Sequence, residues 1–433
     1  MVDSGLNIIS CDVKTILFPF SLIKMKKDSN NINLDYSTIY VILKTDNIHE
    51  GHAILFPLEH ENEICTKAIE EIIPLVVGKN LGDITKNFGE FCMSFRSECQ
   101  VRCTEPTKDV IHLAISTIIN AIWDLYAKVN EKPLWKLLVD MTPEQIVNCI
   151  DFSCITNVLT RDEALDILRK NQSGKDERIK EICQNRYPAY ITLTEYPDHS
   201  NLEALCSEAL SEGWTHFKTR LGNNIDDAVD KCTLIREKIG YENKLIISTN
   251  QMWNDIDTIN NMNILKKFQP MWIEGPADPN ETCYALQNSM LSKNLLSKKD
   301  LMLSKLDTCA LGINEILATL LIASKYGIQI CPTASSVGFC EYAQHISIFN
   351  YIYVSASYDN QILEYVDYLH LHAYFENPVV VNNGKLVAPQ SPGCNITIKN
   401  SSIEKYQYPN GDEWQEYFRY RNMIEIYQCL FGY

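Results

Sequence analysis

The chain has 433 residues, 45% of them apolar and 22% charged, which are globular proportions suited to one large domain plus a companion. A formal net charge of −16 without a Lys/Arg stripe excludes the electrostatic footprint of a nucleic-acid or anionic-membrane binder. The early apolar run TILFPFSLI from Thr15 is too short to span a bilayer, and no Arg precedes Arg96, so neither a membrane partner nor an Arg-rich transit peptide is expected and the cytosol is the expected compartment.

The 16 cysteines are scattered from Cys11 to Cys429 without a C-x-x-C. Cys92, Cys99 and Cys103 form the tightest group, but they lack zinc-finger spacing and a nearby His, so buried free thiols are expected.

In chain order, STIYVILKTD and HAILFPL read as a hairpin turning through Glu50-Gly51. The helix NEICTKAIEEIIPLVVG follows, then TKDVIHLAISTIINAIWDLYAKVN, which is apolar around most of its circumference and is therefore expected between other elements. A further helix starts at Thr142, with Pro143 in its first turn and Gln145 at the capping-box position. From Ala189 the pattern becomes strand, helix, strand, helix at intervals of about 30 residues, the signature of βαβ units and a parallel sheet. The strands are AYITLT, HFKTRL, KLIIST, MWIEGP, LMLSKLDT, IQICPTAS and YVSAS, one short of a (β/α)8 barrel. The shortfall lies in residues 277–300, which have room for one crossover helix but not for helix, strand and helix. The expected fold is thus α/β, a modified (β/α)8 TIM barrel lacking about one βα unit.

Catalytic groups in such barrels stand at the carboxyl ends of the strands. LIISTN ends in Ser248, Thr249 and Asn250, a set without acid, base or nucleophile. In HFKTRL, Lys218 and Arg220 share the inward face, and two adjacent inward cations require either a bound anion or facing carboxylates. Glu274, Asp307 and Asp359 are the candidate acids, in an active site or in a structural ion-pair network. Arg220 keeps its proton and cannot be a base, whereas Lys218 could. His370 and His372 have same-face strand spacing but lie past the last barrel strand, and His112 is expected to be a satisfied core residue.

The long helix with the segment after it, FKTRLG, WIEGP, LDTCALG, VSAS followed by EYVDYLHLH, and YPNGDEW together resemble the L-fuconate dehydratases of the enolase superfamily, in order and over nearly the whole chain. The resemblance implies an N-terminal α+β capping domain (1–150), the barrel (151–395) and a C-terminal segment (396–433) that returns to the cap. It implies a Mg2+-dependent removal of the proton α to a carboxylate of an acid sugar and loss of the β-hydroxyl, giving a 2-keto-3-deoxy acid. It also implies a homo-oligomer and admits a mitochondrial address.

At the family's positions this chain departs repeatedly. The first metal ligand is Ser248, the second, Glu274, is kept, and the third belongs to the missing unit; Asn250, a substrate contact, is kept. The proton-abstracting lysine is Arg220, beside the retained Lys218. The catalytic His is Thr333, its Asp partner remains as Asp307, and a Glu at the end of the last strand is shortened to Asp359. These departures imply a degenerate dehydratase that binds Mg2+ poorly. Three other readings stand beside it: an altered enzyme with Lys218 as base and the Lys218–Arg220 pair clamping a carboxylate anion; a sugar-acid binding or partner subunit; and a mispredicted or misspliced coding sequence that lacks a segment between residues 276 and 301.

Overall fold

The computed structural model describes residues 5–18, 37–57, 61–98, 107–193, 202–249, 255–274, 303–306, 308, 310–334, 337–358, 361–366 and 371–420. The chain opens with an antiparallel sheet of order β1-β2-β3, made of β1 (Ile8–Leu17), β2 (Ser37–Thr45) and β3 (Glu50–Leu55). The sequence reading passed over β1, because its residues are mostly half-buried and do not alternate. The hairpin turn also moves: residues 46–49 make it, and Gly51 lies inside β3. Gly51 is required there by close approach, since a Cβ would stand 2.3 Å from the Ala121 carbonyl oxygen of the long helix Thr107–Val129.

That helix is the hub of the fold. Among the described helices it is the one long and apolar enough to cross a membrane by length and composition, over Val110–Val129, and 72% of that stretch is buried inside the protein. Its polar side chains fasten other elements: Trp123 donates to Asn314 (2.8 Å), and Asn120 accepts from the Ile313 amide (2.9 Å), at the head of the helix Ile313–Tyr326. The buried Asp124 accepts from the amides of His52 (2.8 Å) and Cys394 (2.7 Å) and pairs with Lys128 (2.7 Å), which ties β3 to the C-terminal stretch. Farther along, the Tyr408 amide reaches Thr15 and the Trp414 indole reaches Leu17, so the chain end packs on β1.

The second sheet is parallel: β4 (Tyr187–Leu193), β5 (His216–Arg220), β6 (Lys244–Ser248) and β7 (Trp272–Glu274) pair in sequence, and β10 (Leu363–Tyr365) pairs with β4. β8 (Leu303–Leu306) and β9 (Gln329–Pro332) form a separate parallel pair. Two short strands, β11 (Val381–Asn382) and β12 (Lys385–Leu386), extend the β4 edge. Helices cover the outside of the strands, and a small apolar cluster of Tyr190, Ile246, Cys331 and Ile362 with Trp272 fills the inside.

The last barrel strand differs from the sequence expectation. YVSAS is not a strand: residues Asn350–Ser355 continue the helix Phe339–Phe349 as a π-helix. Asn350 to Val354 are all buried, so periodicity cannot separate strand from helix. Arg178 and Asn171 cap its end by donating to the carbonyls of Ile352 (2.8 Å) and Val354 (2.6 Å). The strand that pairs with β4 is Leu363–Tyr365, nine residues beyond Val354 at its first residue.

Every described cysteine is a free thiol; seven are buried, but Cys154 and Cys183 are exposed, against expectation. Cys99 and Cys103 lie outside the described residues.

Candidate functional site: a lysine held between two barrel glutamates

The strand register brings one set of side chains to the barrel interior. Thr192, Lys218, Ile246 and Trp272 are Cα partners across β4, β5, β6 and β7. One layer nearer the carboxyl ends, Arg220, Ser248 and Glu274 are partners, and on the other side Glu364 pairs with Tyr190. Partners across a ladder share a face, so these side chains point the same way.

Lys218 is at the centre. Its Nζ lies 2.8 Å from Glu274 Oε2 and donates at 2.8 Å to Glu364 Oε1, and the three side chains are 4%, 10% and 1% exposed. Thr192 donates to the same Glu364 oxygen (2.7 Å), and the Trp272 indole donates to Glu274 Oε1 (3.0 Å). The ammonium also stands 5.7 Å from the centre of the Tyr190 ring. Burial, reinforced by the charge of Glu364, pushes the Tyr190 hydroxyl well above its usual value and keeps it protonated.

The sequence offered two answers to the inward cations, a bound anion or facing carboxylates. Lys218 has the second. Arg220 is solvent-exposed at the end of β5, and no ion pair joins it to another described side chain, so the expected Lys218–Arg220 pair is not a single cationic clamp. The two cations differ in position along β5: Lys218 lies level with Thr192 and Ile246, and Arg220 is the last residue of the strand.

Glu364 is the site residue that the sequence reading missed. Its signal was a lone acid inside the apolar run ILEYV, a combination that buried strands rarely tolerate without a partner. The role was assigned to Asp359 because YVSAS was read as the strand; Asp359, like Asp307 and Asn250, lies outside the described residues.

Thr333 is described and is occupied by the backbone: its amide and hydroxyl both donate to the Leu306 carbonyl (2.8 and 3.1 Å), and its own carbonyl accepts from Thr308 (2.6 Å). It fastens the ends of β8 and β9. Ser248 is buried, and its carbonyl accepts from the Leu221 amide (2.8 Å). Thr249 grips the Glu274 carbonyl through both amide and hydroxyl (3.0 and 3.3 Å).

The histidine expectations change as well. His372 belongs to a 3-10 turn, Leu371–Tyr374, and not to a strand; its Nδ1 meets the buried Glu341 at 2.6 Å and its Nε2 faces the Val366 carbonyl at 3.1 Å. His370 lies outside the described residues. His112 is satisfied, by Glu315 at 2.9 Å, but it is 38% exposed rather than a core residue.

Mg2+ requires near-octahedral oxygen ligands with anionic charge. Among the described residues, Ser248 and Glu274 stand at the expected ligand positions, and both oxygens of Glu274 are engaged, one by Lys218 and one by Trp272. No group of three His, Cys, Asp or Glu is placed to hold a metal among the described residues. The donor set they provide does not fit Mg2+.

This chain is 40% identical to mitochondrial enolase superfamily member 1 of Pongo abelii over 95% of its own length and 98% of the relative's. It belongs to the enolase superfamily. The family described as enolase C-terminal domain-like matches residues 201–402, the stretch that carries the barrel strands from β5 onward. The crystal structure of human mitochondrial enolase superfamily member 1 superposes with a TM-score of 0.87 at 38% identity, covering 96% of this chain and 99% of that one. L-galactonate dehydratase of Hypocrea jecorina is 35% identical over 93% of this chain and 94% of the enzyme. The enolase-superfamily fold, a TIM-barrel-like domain with an N-terminal cap, is therefore that of this chain.

Proposed function

We propose that this chain is a member of the acid-sugar dehydratase branch of the enolase superfamily that has lost Mg2+-assisted dehydration. The observation that carries the reading is the position of Lys218, whose ammonium sits between Glu274 and Glu364 at 2.8 Å from each. In this reading Glu274, the retained ligand position, serves the lysine. Ser248 supplies a neutral hydroxyl at the first ligand position, and Arg220, which stays protonated, stands where the base would be. Thr333 spends its hydroxyl on a strand carbonyl and has no imidazole to offer a departing hydroxyl group. Lys218 as a base draws no support from this arrangement, because a cation donating to two carboxylates presents no lone pair.

What remains at the mouth is an exposed guanidinium beside Ser248, a group suited to a carboxylate anion such as an acid sugar. A sugar-acid binding role, in a cap-and-barrel chain divided near 150 and 395, is the positive function we assign.

The test is a Mg2+ titration by calorimetry, with Glu274→Gln as control, alongside an assay for keto-acid formation from L-galactonate and L-fuconate. No saturable heat at millimolar Mg2+ and no keto acid are expected. Saturable binding that the control abolishes, together with turnover, would show that residues outside the described set complete a metal site.

A further inference from the structure

We propose that Glu341 and His372 form a proton-operated clasp: the ring, held as an imidazolium, fastens residues 371–379 to the barrel, and loss of its second proton lets that stretch go. The clasp uses none of the mouth residues Arg220, Ser248 and Glu274, so it stands whether or not a sugar acid binds there.

Hydrogen bonding fixes the charge. Nδ1 of His372 lies 2.6 Å from Glu341 Oε1, and Nε2 lies 3.1 Å from the Val366 carbonyl oxygen. A carbonyl only accepts, and so does an ionised carboxylate, so both ring nitrogens carry hydrogen. Turning the ring over would set carbon atoms against both oxygens, so the same two contacts also settle its orientation. Glu341 is fully buried, and its Oε2 has no hydrogen-bond partner among the described residues. A buried carboxylate needs a cation, and His372 is the group paired with it. The proton rests on the ring, imidazole being intrinsically the more basic group, and the ring is stacked on Tyr365 at 4.9 Å and 10°.

Three parts of the chain meet at this contact. Glu341 stands in the first turn of the helix Phe339–Phe349, Val366 follows the last residue of β10, and the Val379 amide also donates to Glu341 Oε1, at 3.4 Å. Between His372 and Val379 the chain is tied to the C-terminal stretch, with Phe375 opposite Ile398 and the Glu376 amide on the Thr397 carbonyl (2.9 Å). The Ile398 amide in turn donates to Tyr40 of β2 (3.1 Å). A Cβ on Gly338, just ahead of the helix, would stand 2.3 Å from Ile54 of β3 and 2.7 Å from Phe375, so cap sheet, barrel helix and clasped stretch are in close contact.

Removing the proton forces a choice. A neutral ring has one N–H, so either the Glu341 carboxylate or the Val366 carbonyl then faces a lone pair, and one contact breaks. Cys340, beside Glu341, is pushed well above its usual range by burial and the charges of Glu341 and Glu364, and Tyr374 within the stretch is pushed up to about 12 by burial, so both keep their protons while the ring gives one up. The packed elements also bring Tyr365 under the ring, Glu376 on the stretch, and Lys399, which donates to the Ala373 carbonyl (2.8 Å).

The test uses the full-length protein labelled with 15N at histidine. At about pH 7.5, one unit above the ordinary imidazole value, the His372 ring, assigned by its loss in His372→Phe, should show both nitrogens protonated. Hydrogen exchange of residues 371–379, corrected for the intrinsic chemical rate, should be slow and level in the neutral range and at least about tenfold faster once the ring is neutral. Glu341→Gln separates the proton from the packing. Its amide can donate to Nδ1 of a neutral ring whose Nε2–H still reaches Val366, so the stretch should stay protected without a step in pH. His372→Phe should leave it at least about tenfold less protected at every pH; should that variant fail to fold, the ring that changes form between the parent and Glu341→Gln identifies His372. A neutral His372 ring at about pH 7.5, level exchange in the parent up to about pH 10, or the same step in Glu341→Gln would each overturn the clasp. So would a Glu341→Gln chain that does not fold, because its amide makes the same bonds without the proton.

Discussion

His52 and His345 are buried imidazoles whose protonation is suppressed. Burial, aided at His52 by the charge of Lys128, depresses its pKa to about 3; at His345 burial alone outweighs the opposing pull of Asp124, again to about 3. The hydrogen bonding at His52 is compatible with a neutral ring: Tyr40 accepts from the Ile398 amide (3.1 Å), and its hydroxyl stands 2.5 Å from His52 Nδ1, to which it can donate. Between about pH 6.5 and pH 3 the unfolded chain binds protons that these folded sites refuse. Their contribution to stability is therefore complete above the ordinary histidine pKa and is lost as pH falls toward the depressed value. Each histidine adds at most about 1.4 kcal/mol of slope per pH unit in that window. His345→Gln should flatten the fall of Tm between about pH 6 and pH 4 relative to the parent; parallel curves for the two proteins would show that His345 titrates normally when folded.

At the scale of elements, local signals worked where a single residue type has one physical use. The capping box at Thr142 and Gln145 is present as read, and Gly240 ends the helix Ile225–Ile239 with φ +71°. Gly51 shows the opposite case, since the same residue type marks a turn or a close approach and the sequence reading chose the turn. A methyl group there would meet the Ala121 carbonyl at 2.3 Å and Leu125 Cβ at 2.7 Å, both on the rigid long helix. Gly51→Ala should cost about 3 kcal/mol, at the upper end of overpacking penalties, in urea unfolding. A cost under about 0.5 kcal/mol would mean that β3 and the helix separate freely. The π-helical run Asn350–Ser355 belongs to the same lesson: its residues Asn350 to Val354 are all buried and carry no period, and Arg178 and Asn171, more than 170 residues away, stabilise its carbonyl end.

For the whole molecule, the interval between β7 and β8 sets the number of barrel units. The described strands of the second fold region number seven in the β4 to β10 series, and residues 277–300 are too few for a further helix, strand and helix. We propose that one βα unit is absent there. Sequencing the transcript across codons 276 to 301 should return the same short interval; an inserted segment of about 30 residues would restore an eighth unit. Such a segment would leave Arg220, Ser248 and Thr333 as they are.

The sequence by itself determined the class of fold and the residue types that stand at the strand ends. Alternation of strands and helices is a local pattern, and a side chain such as Arg220 or Ser248 has the same chemistry wherever the chain puts it. Which charge answers which was decided only by the tertiary structure. Lys218 and Glu364 are 146 residues apart, and their contact depends on β10 closing against β4 with Leu363 opposite Ala189. A shift of one residue in that register would turn Glu364 to the outer face, because strand side chains alternate, and the lysine would lose one of its two carboxylates.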